Sequence, residues 1–176
     1  MSKLNSTAII AARANSKGIK NKNLQNINKK NLVQISIEQA LRTCETVILS
    51  SDSVEINEIG RQYDGVFIID RSAELAKDET PKLPVLRNAI EIYEKEVGEC
   101  SDIIFDLQPT SPFRKDDSIR KSFELFQKYV ASTNLVSISL TSFHPSYNLL
   151  EFKENNEVEL LNRTSKPITG RNMLPD

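Results

Sequence analysis

Short continuous apolar runs alternate along this chain with longer stretches in which apolar residues recur every three or four positions, and that alternation is the first guide to its fold. Residues 7–12 form a β-prone run ending in a polar loop. Residues 32–44 then place Leu32, Ile35, Ile37, Ala40 and Leu41 on the inner side of a helix. Residues 47–51 predict a second strand, after which Asp52 and Glu55 have the spacing of a helix capping box. A third strand covers 65–69. After a loop over 70–84 a helix runs to about residue 96 with Val85, Ala89, Ile90 and Tyr93 at helical intervals. Residues 103–107 predict a fourth strand, 116–130 an amphipathic helix through Ile119, Phe123 and Phe126, and 135–140 a fifth strand. Beyond Phe143 the alternation stops. Residues 148–152 and 158–161 flank KENNE as a hairpin, and 163–176 read as irregular.

Strands alternating with helices of this length imply right-handed crossovers and a mainly parallel sheet covered on both sides, a three-layer α/β/α sandwich. No internal repeat or linker divides the 176 residues, a length suited to one domain, so residues 1–176 are expected to form a single one. No stretch approaches the ~18 continuous apolar residues that cross a bilayer. The N-terminal apolar run is too short for a secretory signal, so a cytoplasmic protein without a membrane partner is expected. Cys44 and Cys100 have neither a Cys-x-x-Cys spacing nor a nearby histidine, and are expected to be buried thiols rather than a disulfide, a metal site or a nucleophile.

Charge sharpens the picture. A net charge of −1 argues against a nucleic-acid binder, which carries a basic excess over a whole face. Yet the first 37 residues hold seven basic side chains and no acidic one, a concentration that suits a small polyanion. Most of it lies in ARANSKGIKNKN, residues 12–23, where the first predicted strand ends. Ligands of open parallel sheets bind beyond the carboxyl ends of the strands, so location and charge agree. The segment matches neither G-x-G-x-x-G nor G-x-x-x-x-G-K-[ST]. Side chains must therefore supply anion binding that glycine-rich loops draw from the backbone. Arg13 can grip two phosphate oxygens through its planar fork, and Lys17, Lys20 and Lys22 act as movable point charges. On charge alone, a solvated basic loop remains the alternative.

IIAARANSKGIKNKNL resembles the opening motif of the cytidylyltransferases that activate sialic acids and related nonulosonic acids, I-P-A-R-x-x-S-K-G-I-x-x-K-N. Four further segments follow in family order: LSSDSVEI at 49–56, DRSAELAKDET at 70–80, DLQPTSPFR at 106–114 and GRNMLPD at 170–176. The similarity spans residues 7–176. It implies a nucleotide-diphospho-sugar transferase fold of Rossmann-like type, and transfer of CMP from CTP to the anomeric hydroxyl of an acidic sugar, with pyrophosphate released and Mg²⁺ as cofactor.

By that resemblance Arg13 and Lys22 bind the phosphates and stabilise the leaving group. Ala12, Ser16, Asn23 and Arg71 complete the nucleotide contacts, Arg71 having the alternative of a surface charge at a strand end. Gln108 reads the sugar, on a turn fixed by Pro109 and Pro112, and Arg171 pairs with the substrate carboxylate. Arg114 is read as an exposed residue before the next helix, His144 as a packed loop residue or a proton shuttle, and Asp106 as a loop cap or a group near Mg²⁺. The metal ligands are not identified. The sequence departs from the family at Ala11, where a proline is usual, at Ala14 and Asn15, where two glycines are, and at Pro81 and Lys82, where small hydroxyl residues are. It also stops before the family's later stretch with two metal-binding aspartates, so a shortened chain lacking the dimerisation and metal-binding portion is expected, with a homodimer formed by the complete protein. A nucleotide-binding module of the same fold without turnover is the alternative function.

Overall fold

A computed structural model describes residues 4–14, 18–129, 131–138, 150–152 and 157–160 of the chain, which divides into two compact units, residues 1–133 and 134–176. In the first unit β1 (Ser6–Ala11) leads through two short strands, β2 (Asn26–Ile27) and β3 (Lys30–Asn31), into α1 (Leu32–Thr43). Then follow β4 (Thr46–Ser51), α2 (Val54–Arg61), β5 (Val66–Asp70), α3 (Lys82–Val97), β6 (Ile103–Asp106) and α4 (Asp116–Lys128). β1, β4, β5 and β6 form one parallel sheet in the order β5-β4-β1-β6, and β2 pairs antiparallel with β3.

That order fixes the layers. The chain steps outward from β1 to β4 to β5, then returns to the other side of β1 for β6, and right-handed crossovers place the returning helix on the opposite face. Neighbouring strand residues point to opposite faces, so β1, β4 and β5 each feed two cores. Ala8, Ile10, Val47 and Leu49 pack with Val33 and Ile37 of α1, Ile56 of α2 and Ile119 of α4. Ile9, Ile48 and Ile69 pack with Ala89 and Tyr93 of α3. The three-layer α/β/α sandwich expected from the alternation is the one observed. α2 lies so close to the sheet that a Cβ at Gly60 would sit 2.5 Å from Leu49 Cδ2 and 2.6 Å from Ile68 Cδ1.

Local departures from expectation have identifiable causes. In α1 the buried row runs through Val33, Ile37 and Ala40, while Leu41 turns outward at 37% exposure. The helix is held at its start by Asn31, whose side chain accepts from the Gln34 N–H at 2.8 Å while its own N–H donates to Gln34 Oε1 at 3.0 Å. The capping box expected from Asp52 and Glu55 does not form. Ser53 caps α2 by accepting from the Ile56 N–H at 3.3 Å, because Asp52 is engaged by the loop after β1. α3 starts at Lys82 and accommodates Pro84 in its first turn, where no backbone donor is needed. Cys44 is half-buried and Cys100 exposed, so only the former approaches the buried thiol expected. No helix among the described residues is long and apolar enough to cross a membrane.

In the second unit β7 (Leu150–Phe152) pairs antiparallel with β8 (Val158–Leu160), the hairpin expected around KENNE. The fifth strand expected over 135–140 is not formed at 135–138, and 139–140 lie outside the described residues. β propensity alone does not make a strand; a ladder partner is needed, and none pairs with 135–138 among the described residues.

Asp116, in the first turn of α4, accepts from Arg42 Nε of α1 at 2.6 Å. This hydrogen bond holds the Asp116 carboxyl below its usual range. A depressed folded-state value stabilises the protein above the ordinary carboxylate range of about 3.9, and that contribution is lost as pH falls through the lower folded value. Asp116→Asn is therefore expected to lower the melting temperature at pH 7 by a few degrees at most, since the pair is partly exposed. In melting curves over pH 2–7, the gap to wild type should close toward the acid end.

Candidate active site

The carboxyl ends of β1, β5 and β6 surround a cleft of about 240 Å³. It lies where the strand order reverses on either side of β1, the position at which open α/β sheets bind ligands. One wall is Ala11, Arg13, Lys22 and Asn23 from the end of β1 and its loop. A second comes from the loop after β5, with Arg71, Leu75, Lys77, Asp78 and Thr80, and continues into Lys82 and Val85 of α3. Gln108, Pro109 and Thr110 after β6 close the third side.

The loop after β1 is held by its own polar groups. Asn21 adopts a left-handed conformation, φ 49°, that asparagine tolerates better than most residues, and it starts a 3-10 turn over Lys22–Leu24. The buried Asn23 donates from Nδ2 to the Arg13 carbonyl at 3.0 Å, and the Ala14 N–H donates to Asp52 Oδ1 at 2.9 Å. Asn23 thus braces the backbone that carries Arg13. Ala12 lies in the hydrophobic core, with its N–H donating to the Ser50 carbonyl at 3.0 Å, and the cleft wall there is Ala11. Ser16, His144 and Arg171 lie outside the described residues.

Arg71 is 8% exposed, which removes the reading of a surface charge. Its Nη2 donates to the Ser50 carbonyl, while Nε is buried with no hydrogen-bond partner among the described residues. Burial pushes its pKa down, Asp52 opposes that shift and Arg13 adds to it. Arginine nevertheless stays protonated, so this is a desolvated cation. Five cationic side chains, Arg13, Lys22, Arg71, Lys77 and Lys82, line the cleft against one lining carboxylate, Asp78. Arg13 Nη1 pairs with Asp78 Oδ1, and Lys82 Nζ lies 2.5 Å from Asp106 Oδ2. A polyanion entering here meets fixed and mobile positive charge at partly desolvated positions, where each pairing is stronger than in open water.

The family model described as cytidylyltransferase matches residues 7–172. The chain belongs to the cytidylyltransferase family. It is 35% identical over 153 residues to a post-translational flagellin modification protein B of Campylobacter coli, covering 85% of this chain and 64% of that protein. It is 36% identical over 146 residues to a CMP-N,N'-diacetyllegionaminic acid synthase of Legionella pneumophila, covering 80% of this chain and 60% of the relative. The chain thus spans less than two thirds of the length of these relatives. Among solved structures, a CMP:2-keto-3-deoxy-manno-octonic acid synthetase complexed with CTP shares the fold, with a TM-score of 0.55 at 18% identity over 72% of this chain and 49% of that one.

In this chain Arg114 is not the exposed residue expected. Its Nη1 donates to Gln39 Oε1 at 2.6 Å and its Nη2 to the Gln108 carbonyl at 3.0 Å. Gln39, buried in α1, donates back to the Arg114 carbonyl at 2.5 Å. The turn carrying Gln108 is therefore tied to α1 by reciprocal side-chain bonds. Arg114→Met is expected to speed amide hydrogen exchange over 108–114 about tenfold or more, as charged hydrogen bonds of this kind contribute ~1.5–3 kcal/mol. Exchange monitored by mass spectrometry would show it, with β1 and β4 unchanged.

Sequence reasoning missed the wall formed by Leu75, Lys77, Asp78, Thr80 and Lys82. Most of it lies within the segment DRSAELAKDET, so the signal is in the sequence, although the resemblance singles out only Arg71 there. No group of three or more His, Cys, Asp or Glu side chains suited to hold a metal is found among the described residues.

Proposed function

We propose that this chain transfers CMP from CTP to a sialic acid or related nonulosonic acid, with residues 1–176 belonging to one cytoplasmic nucleotidyltransferase domain. The observation that carries this reading is the convergence of Arg13, Lys22, Asn23, Arg71 and Gln108 on one cleft at the switch point of the sheet. Relatives named for legionaminic, pseudaminic and N-acylneuraminic acids support an acidic acceptor sugar. In the reaction the anomeric oxygen bonds to the α-phosphorus, the bond from that phosphorus to the bridging oxygen breaks, pyrophosphate leaves with the electron pair, and the hydroxyl proton passes to solvent. Arg13 and Lys22 oppose the charge that grows on the departing pyrophosphate. Asn23 holds the loop that aims them, Arg71 supplies a desolvated cation to the nucleotide, and Gln108 offers donor and acceptor to the sugar.

Among the described residues no group of three or more His, Cys, Asp or Glu could hold a metal, and Mg²⁺ enters this reading as the counter-ion of the triphosphate. A homodimer is part of the same proposal. Pyrophosphate release from CTP and Mg²⁺ with N-acetylneuraminic, N,N'-diacetyllegionaminic and pseudaminic acids tests the reading. Release that depends on one of these acids is the expected result. CTP binding without release from any of them would replace the enzyme with a nucleotide-binding module.

A further inference from the structure

Lys82 and Gln108 reach the same atom. Lys82 Nζ lies 2.5 Å from Asp106 Oδ2, and Gln108 Nε2 donates to that oxygen in a long hydrogen bond of 3.5 Å. A cation from the start of α3 and an amide from the loop after β6, both lining the cleft, thus converge on one carboxylate. The carboxylate is carried by the sheet. Asp106 ends β6, and its Oδ1 is buried without a hydrogen-bond partner among the described residues. The ammonium is the movable member, on a flexible stem at 40% side-chain exposure.

We propose that Lys82 determines acceptor specificity by exchanging Asp106 for the carboxylate of the acidic sugar, beside the amide of Gln108. This rests on the function proposed above, and it gives to Lys82 the carboxylate that the family resemblance gives to Arg171. A partly exposed ammonium exchanges one carboxylate for another at little net cost, because the two pairings are chemically alike. Asp106 is not abandoned in the exchange: the Arg114 guanidinium feels its charge from nearby. A neutral acceptor offers Lys82 no such exchange. One ammonium matches one carboxylate, whereas a triphosphate brought to the same point would meet the negative charge of Asp106. The triphosphate is better served by Arg13 and Lys22 on the opposite wall.

The test compares wild type, Lys82→Met and Lys82→Arg in the full chain, each checked by thermal melting. The acceptors are the panel acid turned over fastest and its methyl ester. Lys82→Met is expected to raise the KM for the acid about 10- to 100-fold, the usual effect of losing a charged hydrogen bond, and to change the KM for CTP by less than about threefold. Lys82→Arg should recover most of the loss, and the ester should have the same KM in wild type and Lys82→Met. An unchanged KM for the acid, or a loss that falls on CTP, overturns the assignment while leaving the proposed reaction intact. If CTP binds but no acid is turned over, acid binding by saturation-transfer NMR with CTP present becomes the readout. There, loss of binding in Lys82→Met supports the assignment although the reaction has failed. Binding of the acid equal in both, or absent in wild type, overturns it.

Discussion

Arg13→Ala is expected to lower the rate of pyrophosphate release by about 10²–10³-fold, the range found when one donor that stabilises transition-state charge is removed. Arg13 carries that expectation because its backbone is braced through Asn23 and its guanidinium faces the cleft in a pair with Asp78. The pair holds the fork in position and moderates its charge until a stronger anion competes. Two readouts separate catalysis from binding. If the arginine acts mainly on the leaving group, kcat falls by most of the factor and CTP affinity by calorimetry changes far less; if it grips the triphosphate in the ground state, KM carries the loss. Asp78→Asn supplies a control of opposite sign for CTP affinity. A variant of Arg13 with undiminished release would end its assignment to the phosphates.

Ile48→Ala should cost about 2–5 kcal/mol of stability, the usual range for emptying a buried aliphatic site. Ile48 is fully buried at the middle of β4, an interior strand of the sheet, and packs with Ile9, Ile69, Ala89 and Tyr93. α3 is the helix on this face among the described elements, so a cavity here has one rigid side and one helix able to settle toward it. Urea unfolding followed by circular dichroism would give the loss. Nucleotide affinity measured well below the melting temperature should remain within a few-fold of wild type, because the cleft is built from strand ends and not from this layer.

How legible this was in the sequence varies with the physics of each part. The four parallel strands and the helices between them are legible because buried parallel strands are continuous apolar runs and their helices carry apolar stripes, whereas the two-residue strands β2 and β3 fall within what reads as a polar loop. Leu41 and Val33 exchanged roles because periodicity gives a stripe but not the few degrees of rotation that decide its edge. Asp52 and Ser53 exchanged roles for another reason: both can cap a helix, and the choice was made by Ala14, distant in the sequence, which the spacing of local residues does not encode. Arg114 was opaque on the same ground, since its partner Gln39 lies 75 residues earlier. Within the cleft, Arg13, Lys22, Asn23, Arg71 and Gln108 were all named from motifs, whereas Lys82 was noticed only as a departure and its link to Asp106 needed coordinates.

The cleft is walled by segments that leave three parallel strands of a single sheet, two of them, β1 and β5, packed into both cores and β6 into the first. Occupancy of the cleft is therefore coupled to the cooperative melting of the entire first unit and not to the fraying of one loop. By mass action a ligand at 100 times its dissociation constant adds about 2.7 kcal/mol to such a unit, a rise of several degrees. A simple dye-based melting screen of nucleoside triphosphates should accordingly rank bases by affinity, with no substrate sugar in hand.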